Sequence, residues 1–121
     1  MTEPATTPTD RRTRVVRAVM AHRKSSGDPV AFSADDVRVV YDDRLLELSL
    51  SEPERDRLDA LLAEYPVFKV KQPETRKAAE GTVFVSAIAD PKHLADFVDE
   101  CLVRVYGRAD DYGLSVESPP R

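Results

Sequence analysis

A chain of 121 residues, 41% hydrophobic and 33% charged, has the length of one domain and enough apolar matter for one core, so wholesale disorder is excluded. No run approaches the ~18 apolar residues of a membrane-spanning helix, and the single cysteine, Cys101, excludes an internal disulfide and a cysteine-rich metal site. The 18 Lys and Arg against 22 Asp and Glu leave a net charge of −4, which by itself implies no partner; with a polar N-terminus that lacks the apolar stretch of a secretory signal, the expected location is the cytoplasm.

Residues 1–9 read as a disordered leader, with Pro4, Pro8 and four threonines and no apolar period. Asp10 is placed to cap a first helix running to about Ser25, in which Val15, Ala18, Val19 and His22 form a narrow apolar stripe widened by Val16 and Met20. Ser26-Gly27-Asp28-Pro29 ends it. The period then changes to two. Val37, Val39 and Tyr41 predict a strand, Asp42-Asp43-Arg44 a turn, and Leu46, Leu48 and Leu50 a second strand, which together make a β-hairpin. Ser51-Glu52-Pro53-Glu54 opens a second helix with a capping box and a first-turn proline; Leu58, Leu61, Leu62 and Tyr65 mark its buried face and Pro66 stops it.

A second hairpin is predicted from Val67–Gln72 and Val83–Ile88, joined by a long connection over 73–81. Asp90-Pro91 starts the clearest helix, 91–106, with Leu94, Phe97, Val98, Cys101, Leu102 and Val105 at steps of three and four and Gly107 at its end. In the tail, Tyr112, Leu114 and Val116 alternate and can dock as a short edge strand, before a frayed end over 117–121. The expected fold is α+β, in the order α-ββ-α-ββ-α, with helices packed on a four-stranded antiparallel sheet in a single domain over 10–116.

The most distinctive local feature is charge. Arg11, Arg12, Arg14, Arg17, Arg23 and Lys24 lie in a segment with no acid, so residues 11–24 carry +6 and the rest of the chain −10. Clustered arginines of this kind suit phosphate contact, and Lys69, Lys71, Arg76 and Lys77 of the second hairpin extend the candidate contact set. The simpler reading is a solvated helix face paired with acids elsewhere, because base readout needs a motif and no zinc finger, zipper or helix-turn-helix is present.

Catalytic chemistry has little to start from. His93 and Cys101 are eight residues apart and diverge on their helix, so a Cys–His pair requires tertiary folding to bring His22 to Cys101. Cys101 falls on the apolar stripe as a small core residue. The pairs Asp35-Asp36, Asp42-Asp43 and Asp110-Asp111 lack the spacing of a calcium loop. No phosphate loop, dinucleotide fingerprint or nucleophile elbow occurs, so no catalytic residue, cofactor or metal is assigned.

Several stretches carry a resemblance as a set: Ala18-Val19 with His22-Arg23; Arg57-Leu58 with Leu61-Leu62 and Tyr65-Pro66-Val67-Phe68; Glu80-Gly81-Thr82-Val83 with Val85 and Ala87; and Phe97-Val98 through Val105-Tyr106-Gly107 to Asp110-Asp111-Tyr112. The chain resembles, over residues 12–116, a family of small haloarchaeal proteins carrying a domain of unknown function. The resemblance implies a high-salt cytoplasm and supplies no activity, cofactor or catalytic residues.

The function expected from these residues is a non-enzymatic binding or interaction module. Aliphatic Val40 and Leu45, with Phe84, fall on a sheet face the helices need not cover, which favours a homodimer. The alternatives are a nucleic-acid-binding regulator using the basic helix, and a small enzyme with an unrecognised site.

Overall fold

The computed structural model describes residues 4–25, 29–42, 44–71 and 81–117. It is an α+β fold of three helices on a six-stranded antiparallel sheet, where four strands were expected with a tail able to dock as an edge strand. Helix α1 spans Pro8–Ser25, beginning two residues before the expected start. Its first turn is capped by Thr7, whose Oγ1 accepts from the Asp10 N–H at 3.2 Å, and Pro8 occupies a position where its missing N–H costs nothing. Asp10 is therefore a first-turn acid rather than the cap. Ahead of the helix, Ala5 is buried and bridges Leu114.

The added strand is β1, Val30–Ala34. It turns through Asp35-Asp36, with Asp35 in the left-handed region (φ 55°) that Asp tolerates, into β2, Val37–Asp42. β2 pairs with β3, Leu45–Ser49, as the hairpin pattern predicted, with Val39 opposite Leu48 and Tyr41 opposite Leu46. Helix α2, Glu52–Glu64, carries the predicted capping box: Glu54 accepts from the Ser51 N–H at 2.8 Å and Ser51 Oγ accepts in return.

Among the described residues β4 is Lys69–Val70: Phe68 before it stacks on Phe97 at 4.2 Å, and Gln72, the expected end of the strand, lies outside them. β5, Thr82–Ser86, lies between β4 and β3. Helix α3, Pro91–Glu100, is capped by Asp90 as expected and continues as a π-helical turn, Cys101–Val105, where the Tyr106 N–H reaches the Cys101 carbonyl at 3.1 Å. The last strand, β6, Ser115–Glu117, pairs with β1 as the short edge strand that the tail alternation allowed. The strand order is β4-β5-β3-β2-β1-β6.

Register divides the sheet into two faces. Phe32, Val39, Leu48 and Val83 form one row, and Tyr41, Leu46 and Val85 the next. These rows join Val15 and Val19 of α1, Leu58 and Leu61 of α2, and the α3 stripe in one core. Ala31, Val40, Glu47 and Phe84 lie across the opposite face, outside that core. No helix among the described residues is long and apolar enough to cross a membrane.

Candidate interaction surface

Helical geometry splits the basic segment. At ~100° per residue, Arg11 falls within roughly 40° of Val15 and His22, while Arg14 and Arg17 point about 60° and 120° to one side. Arg11 is accordingly 1% exposed. Its Nε donates to Asp99 Oδ1 at 2.8 Å, and its Nη1 donates to the carbonyls of Thr6 and Tyr112. Its guanidinium lies 4.0 Å from the Tyr112 ring centre, and the Tyr112 hydroxyl donates to the same Asp99 oxygen at 2.7 Å. Burial, and then the Asp99 carboxylate, push the Tyr112 phenol well above the usual tyrosine range. The cluster locks the start of α1 to α3 and to the segment before β6.

Arg23 is also spent inside the fold. It donates to the Tyr41 hydroxyl at 2.9 Å and to the carbonyls of Ala87 and Ala89, closing the end of α1 onto the loop after β5. Arg11 and Arg23 are thus corrected from candidate contact residues to structural ones, because each replaces its hydration with fixed oxygen acceptors. Arg12 pairs with Asp96 at 2.9 Å on the surface, and Lys24 is exposed. Lys69 and Lys71 are exposed too, but they belong to the β4 edge, separated from the β6 edge by five inter-strand steps, roughly 24 Å. Arg14 and Arg17, which lie beside β6, therefore stand apart from Lys69 and Lys71. Arg76 and Lys77, with most of the 73–81 connection, lie outside the described residues, as do Ser26-Gly27-Asp28, Asp43 and the end of the expected tail.

Arg14 and Arg17 remain. With Ala18 on the same helix face, and with Ser115 and Val116 of β6, they line a groove of about 430 Å³ between α1 and β6. Of the eleven arginines among the described residues, eight are held by a carboxylate, hydroxyl or carbonyl oxygen. Of the three that are not, two stand together at this groove. Val116 supplies apolar surface there and is 39% exposed. A second groove of about 380 Å³, between Ser33, Asp35, Asp36, Val37, Arg38 and Glu117, is compensated from within: Arg38 pairs with Glu117, and Arg108 with Asp35.

The catalytic candidates are placed as follows. Cys101 is fully buried in the core, where burial, and then the Glu100 charge, raise its thiol far above the range of a reactive thiolate. His22 is buried at the end of α1, edge-on to Tyr41 and 3.7 Å from Asp42. His93 stacks on Phe68 at 5.4 Å, beside Tyr65. Among the described residues no three His, Cys, Asp or Glu side chains gather closely enough to hold a metal ion. Sequence reasoning missed Asp99, Tyr112 and Tyr41 as partners of the arginines, although Arg11 prolongs the Val15–His22 stripe by one turn and so carried a signal of its inward direction.

The match of a family model to residues 1–118 decides where the chain stands among known proteins. It belongs to DUF7975, a family of unknown function. No curated protein and no solved structure matches the chain. The reading of this DUF7975 member therefore rests on its own geometry.

Proposed function

We propose that this DUF7975 protein is a cytoplasmic, non-enzymatic interaction module whose contact surface is the groove between α1 and β6. The observation that carries this reading is the pairing of two unengaged arginines over an apolar strip at the end of the sheet. Elsewhere the described surface arginines are largely neutralised by neighbouring acids. Here the charge is left for a partner, and that partner is anionic.

The test is a fluorescence-anisotropy titration of the full chain with a glutamate-rich peptide, a DNA duplex and a single-stranded RNA, each at low and at physiological salt. The peptide is expected to bind, and Arg14→Ala with Arg17→Ala to weaken it. Failure of all three anions to bind overturns the reading. Binding confined to DNA or RNA, with a steep salt dependence, establishes the nucleic-acid alternative instead.

Homodimerisation is a second reading, favoured by the register that puts the half-buried Val40 and Leu45 on the face opposite the helices, beside Ala31 and Phe84, which are buried within the chain. Six strands of two to six residues present roughly 400 Å² on that face. A stable interface buries about 800 Å² per partner. A dimer formed there would be weak, and a monomer at tens of micromolar by light scattering removes it.

A further inference from the structure

The two groove arginines belong to a longer basic seam. At ~100° per residue, Arg14, Arg17, Ala21 and Lys24 fall within roughly 80° of one another on α1, on the side turned away from the buried Val15 and Val19. Arg17, Ala21 and Lys24 are exposed and Arg14 is half-buried. The steps along this seam are three, four and three residues, and Asp10 stands four residues ahead of Arg14.

Helix α2 carries a seam of the same period and opposite sign. Glu52, Asp56, Asp59 and Ala63 fall within roughly 60° of one another, opposite the buried Leu58 and Leu61. All four are exposed. Asp59 accepts from Arg55 at 3.0 Å on the surface, while Glu52 and Asp56 hold no cation among the described residues. Both helices bury their other face in one core, so the two seams point outward and do not meet within one chain.

Between two chains the seams match in register. With the helices antiparallel, the rise from Arg14 to Arg17 and on to Ala21 is about 4.5 Å and then about 6.0 Å, and the rise from Asp59 to Asp56 and on to Glu52 is the same. Arg14 then stands opposite the partner's Asp59, and Arg17 opposite the partner's Asp56. The partner's Glu52 stands opposite Ala21, one turn from Lys24. Asp10, the acid at the head of the α1 seam, meets the partner's Ala63, so no like charges oppose. A parallel pairing lacks this match, because it sets Arg17 against the partner's Glu52 and leaves Arg14 beyond the start of α2. Ala18 and Ala21 on one helix, with Ala60 and Ala63 on the other, are small enough for the backbones to approach to the about 8–10 Å of packed helices.

We propose that α1 of one copy of this chain docks antiparallel on α2 of a second copy, Arg14 pairing with the partner's Asp59 and Arg17 with the partner's Asp56. The proposal rests on the interaction-module reading and names the anion that meets the groove arginines, an acidic helix of the chain itself. Its surface is distinct from the sheet face opposite the helices. The two seams are different patches, so each copy offers one of each and association runs head to tail. Exposed ion pairs are individually weak, so the contact is transient and depends on concentration.

Light scattering of the full chain, from tens of micromolar to the millimolar range, tests this. The mean mass of the parent is expected to rise with concentration. Arg14→Glu with Arg17→Glu, and separately Asp56→Arg with Asp59→Arg, are each expected to hold the monomer mass throughout, because one seam then repels the other. An equimolar mixture of the two variants is expected to associate at least as strongly as the parent, since an acidic chain then meets a basic one at both seams. Melting curves like that of the parent show that the folds persist. Amide shifts of the parent on dilution, expected only over residues 10–24 and 52–63, carry the test without any variant. A parent that stays monomeric to the millimolar range, a reversal that leaves association unchanged, a mixture that stays monomeric, or shifts confined to other elements overturns the docking of copies. The glutamate-rich peptide then separates this failure from that of the reading beneath it: a bound peptide leaves the groove to another acidic partner, and a groove that binds no anion falls as well.

Discussion

Arg11 and Arg14 are one helical turn apart, carry the same side chain and belong to the same basic run, yet they occupy opposite kinds of environment. Arg11 is sealed among Asp99, Tyr112 and two carbonyls; Arg14 borders a groove and has no such partner. The difference shows that a linear charge count does not define a surface. The period of the helix allocates each cation to core or to solvent, and the acids that neutralise the inward ones come from distant segments.

The contrast predicts its largest effect at Arg11. Arg11→Met leaves Asp99 buried with only a hydroxyl donor from Tyr112, and removing one partner of a buried ion pair costs about 3–5 kcal/mol. Urea unfolding should show the loss directly, and Asp99→Leu in the same chain should restore part of it by removing the stranded charge. If the Met variant is as stable as the parent, the cluster is not a lock and the two arginines are not energetically different. Arg23→Met should follow, at about 2 kcal/mol, since hydrogen bonds from a charged donor to Tyr41, Ala87 and Ala89 are lost together. Shortened protection of the loop after β5 in hydrogen exchange would locate that loss.

The sealed region also predicts a pH dependence. Burial raises the Tyr112 and Tyr106 phenols and the Cys101 thiol above their ordinary values of 10.0 and 9.0. Above those values the unfolded chain releases protons that the folded chain retains, so stability is full at lower pH and falls as pH rises. Each group contributes about 1.4 kcal/mol per pH unit once its unfolded form is ionised. Urea midpoints should therefore decline from about pH 9 upward, and Tyr112→Phe should make the decline above pH 10 shallower. A flat profile from pH 8 to pH 11 contradicts the burial of all three.

What was legible in the sequence was local. The Ser51–Glu54 box, the Asp90-Pro91 start and the β2–β3 alternation were readable because each signal sits within a few residues of the structure it specifies. β1 was not readable, because Val-Ala-Phe-Ser-Ala buries Ala31 and Phe32 on opposite faces and leaves Ser33 as its one polar alternate. The π-turn was hidden because Cys101, Leu102 and Val105 are buried in either helical form. The Arg11–Asp99 pair spans 88 residues of sequence and was beyond any local pattern. The groove was legible only in part: Arg14 and Arg17 stood in the basic run, and the Tyr112–Leu114–Val116 alternation hinted at an edge strand, but nothing in one dimension placed that strand beside the helix.

The smallest stability effects should come from the outward arginines, and there the comparison becomes most informative. Arg12→Ala breaks a half-exposed pair with Asp96, a loss of about 0.2–1 kcal/mol. Arg14→Ala and Arg17→Ala should each stay within about 0.5 kcal/mol of the parent, because neither removes a partner within the fold. Measured beside Arg11→Met, they separate two roles that a binding assay alone would confuse: an arginine can weaken binding because the fold loosens, or because the contact is gone. At Arg14 and Arg17 the expected signature is lost affinity with an unmoved urea midpoint. At Arg11 it is a lowered midpoint, with affinity recovering in conditions that restore folding. If Arg14→Ala shifts the midpoint as far as Arg11→Met does, both belong to the internal lock, and the groove has no cation held in reserve for a partner.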